Sequence, residues 1–335
     1  MSSAPKYTKI KWNDFLKKND FSLLALVRYN LSHVRTKTWF RQLTFVYRVL
    51  KHWKPYHNYL NLLKTSKFQP LAELDDVILL KVLRPYELYR YSVVERTQIL
   101  KEHYDILSEK FDEKAISVIF TDLGYKIASY EPNQNITDNY EIIANYSRTH
   151  RREGEFAISI IKKNLAEGET DAVGYRRGFS VAFNFGYIDG KKVIKVNSLQ
   201  GSDPLLLNPQ DDISNVTKLG FGMMPMYLLM NIVFCIAKLV QVEYVLGIRK
   251  ESHVYYNEHY KSKISPMFKN DYDKHWAEFD SKDFNQDYYV LQELPRKDLS
   301  EVASKKRSQY RKRYAFLDGI YLSLEKMIKK VNEGS

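Results

Sequence analysis

Cysteine is almost missing: Cys235 is the single thiol in 335 residues, so no intramolecular disulfide can form and the chain suits a reducing compartment. Glycine and proline are sparse, at 13 and 10 residues, and no low-complexity stretch stands out. There is no Gly-x-Ser-x-Gly elbow and no Gly-x-x-x-x-Gly-Lys-Ser/Thr phosphate loop, which removes two common routes to catalysis. Long apolar runs are also lacking. Residues 21–27 are too few for a secretory signal, and no small-residue cleavage pattern follows them. Residues 223–240 are interrupted by Asn231 and Lys238 and sit at the lower limit for a membrane span, so they are expected as a helix in a protein core, with Cys235 buried inside it.

Acidic residues are the minority charge, 40 against 52 Lys and Arg, for a net +12. The excess is at the ends. Residues 1–54 carry 12 basic side chains against Asp14 and Asp20, and residues 295–330 carry 11 against four acidic ones. Two basic ends on a mildly acidic middle suggest attraction to an anionic surface such as lipid headgroups, a lipid A precursor or an acidic carrier protein. No reader motif accompanies the charge, so nucleic acid is disfavoured.

Hydrophobic periodicity divides the chain into a helical, basic region at 1–110 and an α/β domain at 111–335. Trp39, Leu43, Val46, Leu50 and Trp53 recur at three- and four-residue steps, which predicts an amphipathic helix with this stripe as its apolar face. Its basic side suits either solvent or an anionic membrane. A further helix begins at Ser92. After residue 110 the period falls to two, and strands are predicted at 115–120, 125–131, 140–146, 156–162, 179–188 and 192–198. Asp189 and Gly190 predict a hairpin, and the alternation from Phe179 to Phe185 predicts one buried face. A buried helix then crosses over to a strand at 242–248, expected to run parallel to its predecessor. After a strand at 287–294, Asp298-Leu-Ser-Glu301 reads as a capping box that opens the last, basic helices, with an apolar stripe from Tyr310 to Ile328. The fold class is therefore α+β, a mixed sheet with a central buried helix and basic C-terminal helices.

The stretch 193–260 orders a strand, a glycine loop, the buried helix, a strand and a cluster of titratable groups, which can build a ligand site. Glu251 or His253, just past a strand end, is the candidate base, and Tyr255, Tyr256 or Tyr260 the candidate acid. A metal site from His253, His259 and His275 has poor spacing and no cysteine support, so no metal is expected. Lys305, Lys306, Arg307, Arg311 and Arg313 form two basic clusters able to grip phosphates.

The run from Pro295 to Asp318, with Ser304-Lys-Lys-Arg307, Tyr310-Arg311, Arg313-Tyr314 and Leu317-Asp318, resembles the terminal signature of the bacterial VirK/YbjX family. Arg84-Pro85-Tyr86 with His103-Tyr104, and Leu199-Gln200-Gly201, resemble further motifs of it, although Asn197 and Ser198 stand where that family has two glycines. Thr217-Lys218, Gly222, Pro225 and His253-Val254-Tyr255 continue the match. The resemblance implies a bacterial protein tied to virulence, to the envelope and to the response to host defences such as antimicrobial peptides. It also implies a cytoplasmic location, peripheral to the inner membrane at most.

A second resemblance concerns fold. A strand, a Gly-x-Gly turn, a long helix, a strand and a tyrosine-bearing segment look like the acyl-CoA core of GNAT acetyltransferases. It implies acyl-CoA or acyl-carrier protein as donor, with the pyrophosphate held by backbone N–H groups of Lys218, Gly220, Phe221 and Gly222 and by Gln200 and Gly201. Thr217 stands where that superfamily has a basic or amide residue.

Overall fold

The computed structural model describes residues 22–33, 39–74, 78–130, 139–146, 148–163, 178–201, 209–256 and 271–329. Helices α1 (Leu23–His33), α2 (Trp39–Lys51), α3 (Trp53–Lys64), α4 (Gln69–Leu74), α5 (Val93–Lys110) and α6 (Glu113–Ile119) come first. The strands β1 (Tyr125–Tyr130), β2 (Tyr140–Asn145), β3 (Phe156–Lys162), β4 (Phe179–Ile188) and β5 (Lys191–Gln200) follow. Then come α7 (Pro209–Leu219), α8 (Pro225–Val240), β6 (Tyr244–Ile248), α9 (Tyr272–Ala277), β7 (Lys282–Asp283), β8 (Tyr288–Leu291) and α10 (Ser304–Met327). The fold is thus α+β, with a helical N-terminal region and one mixed eight-stranded sheet, order β1-β2-β3-β4-β5-β6-β8-β7.

β1 to β5 form an antiparallel meander, and β6 pairs parallel to β5 across the α7–α8 connection. The β4–β5 hairpin turns at Asp189 (φ 51°) and Gly190 (φ 77°), the left-handed pair that matches strand twist. α8 starts with Pro225 at its first position and ends on Gln241 in the left-handed conformation. Most of its side chains are buried, with Tyr227, Asn231, Cys235 and Lys238 along one less buried side, and at 16 residues it is a core helix. Among the described residues no helix is long and apolar enough to cross a membrane.

The two faces of the sheet differ. Tyr140 donates a hydrogen bond to Asp212 of α7 at 2.6 Å, and the Tyr130 ring lies 5.3 Å from Phe316 of α10. The helix α8 packs across β3, β4, β5 and β6 and against α10, so α8 with α7 and α10 at its flank covers the face that carries Ala144, Ile158 and Val181, which the register brings side by side. The opposite face carries Ser159, Ser180, Asn184, Lys195 and Ser198. It too is buried, beneath the chain at 81–91, 148–154 and 252–256. Beyond Phe183, β4 has no β3 partner, and α5 takes its place: Phe185 N–H donates to His103 Nδ1 and Tyr187 N–H to Glu102 Oε2, both at 3.1 Å.

Three expectations are corrected. Residues 115–120 form most of α6 rather than a strand, because Asp112 accepts from the N–H groups of Lys114 and Ala115 and starts a helix before the β-branched run. In α2 the docked face is Phe45 and Val49, whereas Leu43 and Leu50 of the expected apolar stripe are exposed. The one C-terminal helix begins at Ser304, since Asp298 instead closes a local turn with both the N–H and hydroxyl of Ser300.

Candidate functional site

Three carboxylates lie buried on the polar face, each held by a different set of donors. Glu155 accepts from Lys81, Tyr86 and Tyr104, the Tyr86 bond measuring 2.7 Å. Glu87 accepts from Lys195 and from Asn184 Nδ2 at 2.6 Å, and from Tyr288 at 3.0 Å. Asn184 links the two sets, because its Oδ1 accepts from Glu155 N–H at 2.9 Å. Burial, then the Glu155 charge, raises the Tyr86 and Tyr104 hydroxyls well above their ordinary value, so both stay protonated as donors. Glu87 sits at φ 58°, a conformation non-glycine residues seldom adopt, and is held there by its N–H bond to Arg152 O at 2.8 Å.

The third carboxylate, Glu153, lies between two imidazoles. Its Oε2 is 3.1 Å from His150 Nδ1, and its Oε1 is 3.2 Å from His253 Nε2. His253 Nε2 also faces the Asn197 carbonyl at 3.0 Å, while its Nδ1 receives Tyr255 N–H at 3.3 Å. Two acceptors at Nε2 and a donor at Nδ1 assign the hydrogen of that contact to Nε2. His150 donates from Nδ1 to Glu153, which leaves its Nε2 to meet Ser180 Oγ at 2.7 Å. Burial works to raise Glu153, but the hydrogen bonds from the two histidines outweigh it and hold the carboxyl at about 2.

Strand geometry makes room for this cluster. β5 carries a bulge at Asn197, since Val196 pairs with Phe183 and Ser198 with Ala182. β6 pairs with β5 only from Val193 to Val196, so the strands part at the bulge. His253 takes up the Asn197 carbonyl that the parallel ladder leaves free, and Asn197 Nδ2 donates to Glu153 O at 2.9 Å. Gly154, between Glu153 and Glu155, packs its backbone close against the main chain of Phe183.

Among the residues expected from sequence, His253 is in this cluster. Glu251 is exposed, Tyr255 and Tyr256 are half-buried, and Tyr260 lies outside the described residues. Burial, then the Glu153 charge, raises the Tyr255 hydroxyl. The expected amide cradle at 218–222 is instead a helix cap. The N–H groups of Gly220, Phe221 and Gly222 bond to the carbonyls of Val216, Lys218 and Thr217 respectively, at 2.8 to 3.0 Å. Arg313 donates to Phe221 O at 2.8 Å, and a Cβ on Gly222 would strike Gln309. Gln200 and Gly201 instead border the histidine cluster, with Gln200 opposite Ser180. Lys305, Lys306 and Arg311 are exposed, while Arg307 and Arg313 donate to backbone carbonyls. Burial pushes the half-buried Cys235 thiol up to about 11, so it is a poor nucleophile at neutral pH. Among the described residues no group of three or more His, Cys, Asp or Glu is placed to hold a metal ion.

His103 gives the site a pH signature. Burial, reinforced by the charges of Lys81 and Lys195, lowers it from 6.5 to about 3. A depressed folded value contributes stability above pH 6.5 that is lost as pH falls towards 3, with a slope of about 1.4 kcal/mol per pH unit. Urea midpoints measured from pH 7 to pH 5 should therefore lose about 2 kcal/mol on this account, and His103→Gln should flatten that limb. A limb of equal slope in the variant would assign the loss elsewhere.

Comparison with known proteins places these residues in a wider group. A family model described as a protein of unknown function, DUF535, matches residues 35–326. The chain is similar to "Uncharacterized protein YbjX" of Escherichia coli (strain K12), 27% identical over 247 residues, covering 73% of this chain and 70% of the relative. It is also similar to an uncharacterized protein of Haemophilus influenzae (strain ATCC 51907 / DSM 11121 / KW20 / Rd), 28% identical over 239 residues, covering 71% and 73%. No solved structure matches.

Proposed function

This chain belongs to the DUF535 family, and on that premise we propose that it is an acyltransferase-like protein acting in modification of the bacterial envelope or in the response to host peptides. The observation that carries the proposal is the parting of β5 and β6 at the Asn197 bulge, with the His253–Glu153–His150 chain set in the gap. Acyl transfer needs a base within hydrogen-bond reach of a nucleophile and a group that holds that base in one tautomer. His150 supplies the first through Nε2, and Glu153 the second. His253 fixes the other oxygen of Glu153, so it is a positioning residue. An acyl-CoA or acyl-carrier thioester is the donor this reading requires. Gln200 and Gly201, half-buried and exposed beside the cluster, mark the side from which it would enter.

Calorimetric titration of the full chain with acetyl-CoA and a long-chain acyl-CoA tests the proposal. Saturable binding weakened at least tenfold by Gly201→Asp, in a variant that melts as the wild type does, is the expected result. No binding by the folded wild type would count against it. Binding to anionic vesicles that falls steeply with salt, and with charge reversal of Lys305, Lys306 and Arg311, would then favour a membrane-docked adaptor instead.

A further inference from the structure

Ser180 meets two requirements together. Its Oγ faces a histidine nitrogen at 2.7 Å, and the other nitrogen of that ring is held by a buried carboxylate at 3.1 Å. We infer that Ser180 is a covalent nucleophile, with His150 as its base and Glu153 as the group that orients the base. The inference rests on the acyl-transfer reading and adds an acyl-enzyme to it.

The arrangement follows from the fold. Ser180 is near the start of β4, on the polar face, where alternation sets Ala182 and Asn184 on the same side. His150 and Glu153 come from the turn between β2 and β3, and Glu153 N–H bonds to His150 O at 2.7 Å, which closes that turn on itself. The carboxylate is charged, because its two histidine donors hold it so, and a charged carboxylate stabilises the imidazolium that forms when Ser180 gives up its proton. Ser180 is 7% exposed, with Gln200 half-buried opposite it, so the hydroxyl lies just beneath the surface.

A second observation points to a ligand at the same place. Ser198 Oγ and Asn197 Oδ1 are fully buried without a hydrogen-bond partner, on the strand beside Ser180. A buried hydroxyl donor with no acceptor costs on the order of 1–3 kcal/mol and calls for an explanation. Ser198 is two register positions along from Ser180, the next step on the same face, because it pairs with Ala182 and Gln200 pairs with Ser180. A carbonyl oxygen that becomes an oxyanion on attack by Ser180 would supply the acceptor Ser198 lacks.

The chemistry balances as a double displacement. His150 Nε2 takes the Ser180 proton as Oγ bonds to the thioester carbonyl carbon. The carbon–sulfur bond then breaks, and the thiolate leaves with that proton. An amine or hydroxyl acceptor next gives its proton to His150 and attacks the same carbon. The Oγ–carbon bond breaks, and the proton returns to Ser180. No oxidant or reductant is needed.

Labelling of the full chain with an alkyl fluorophosphonate, read by intact mass and peptide mapping, tests the inference. One adduct on Ser180 is expected, absent in Ser180→Ala and slowed at least tenfold in His150→Gln and Glu153→Gln. Ser180→Ala removes only a hydroxyl, so the fold should survive, and matched melting curves confirm that. No adduct on folded wild type, or an adduct that persists in Ser180→Ala, would overturn it. Labelling without any acyl-thioester turnover would keep the nucleophile and dismiss the donor. Turnover that Ser180→Ala leaves unchanged would keep the acyl-transfer reading and dismiss the nucleophile.

Discussion

Glu155→Ala should cost about 3–5 kcal/mol of folding stability, a large fraction of the 5–15 kcal/mol typical of a domain. The carboxylate has no exposure to exchange for its lost partners, since its side chain is 0% exposed and that of Lys81 3%. Without it the Lys81 ammonium keeps only Tyr146 Oη at 3.0 Å and the faces of the Tyr86 and Tyr146 rings. Tyr104 Oη loses its acceptor, and Tyr86 is left with Asn184 Oδ1 at 3.0 Å. The penalty is mostly that of a stranded charge, not the worth of a contact. Removing both charges, as Lys81→Met with Glu155→Leu, should therefore cost less than the sum of the two single changes. Urea unfolding of the four proteins measures this. A Glu155→Ala midpoint within about 1 kcal/mol of wild type would mean that the pair is not buried as described.

Gly154→Ala should be more damaging still, above about 4 kcal/mol, because nothing nearby can yield. A Cβ there would lie 2.7 Å from Phe183 N and 3.0 Å from Phe183 O. Both are main-chain atoms of β4, bonded on one side to β3 and on the other to β5. The turn at 148–155 would have to lift away and carry Glu153 and Glu155 with it. Soluble, folded protein with an unchanged melting temperature would contradict the close approach. A milder outcome, a folded variant with lost fluorophosphonate labelling, would place the damage in the turn alone.

Much of this architecture was legible in the chain. β3, β4 and β5 follow from alternation, Asp189-Gly190 gives the hairpin, and the apolar run gives α8. The strand expected at 115–120 failed because β-branched propensity is weaker than a cap, here Asp112. The stripe through Leu43 and Leu50 failed because α2 is apolar on two sides, and periodicity cannot say which one docks. His253 could be singled out by its place after a strand. Its partner Glu153 could not, being 100 residues away, and neither could Ser180 and Asn184 elsewhere on the polar face, which read as the wet side of a half-buried strand. The available signal was chemical. Arg-Arg-Glu-Gly-Glu around Gly154, and Lys195-Val-Asn-Ser in a strand at mid-sheet, put charged and amide groups where both faces are covered. Buried charges in such positions are paired, and pairing across distant segments shows only in three dimensions.

Thiol release from acyl-CoA is the measurement closest to the central claim. Wild-type protein should release free thiol in a burst matched to the enzyme concentration, and then turn over as an acceptor is added. Glu153→Gln should remain folded near neutral pH yet lose the burst, since the base no longer faces a carboxylate. A burst of equal size in Glu153→Gln, or no thiol released by a folded wild type, would contradict the account.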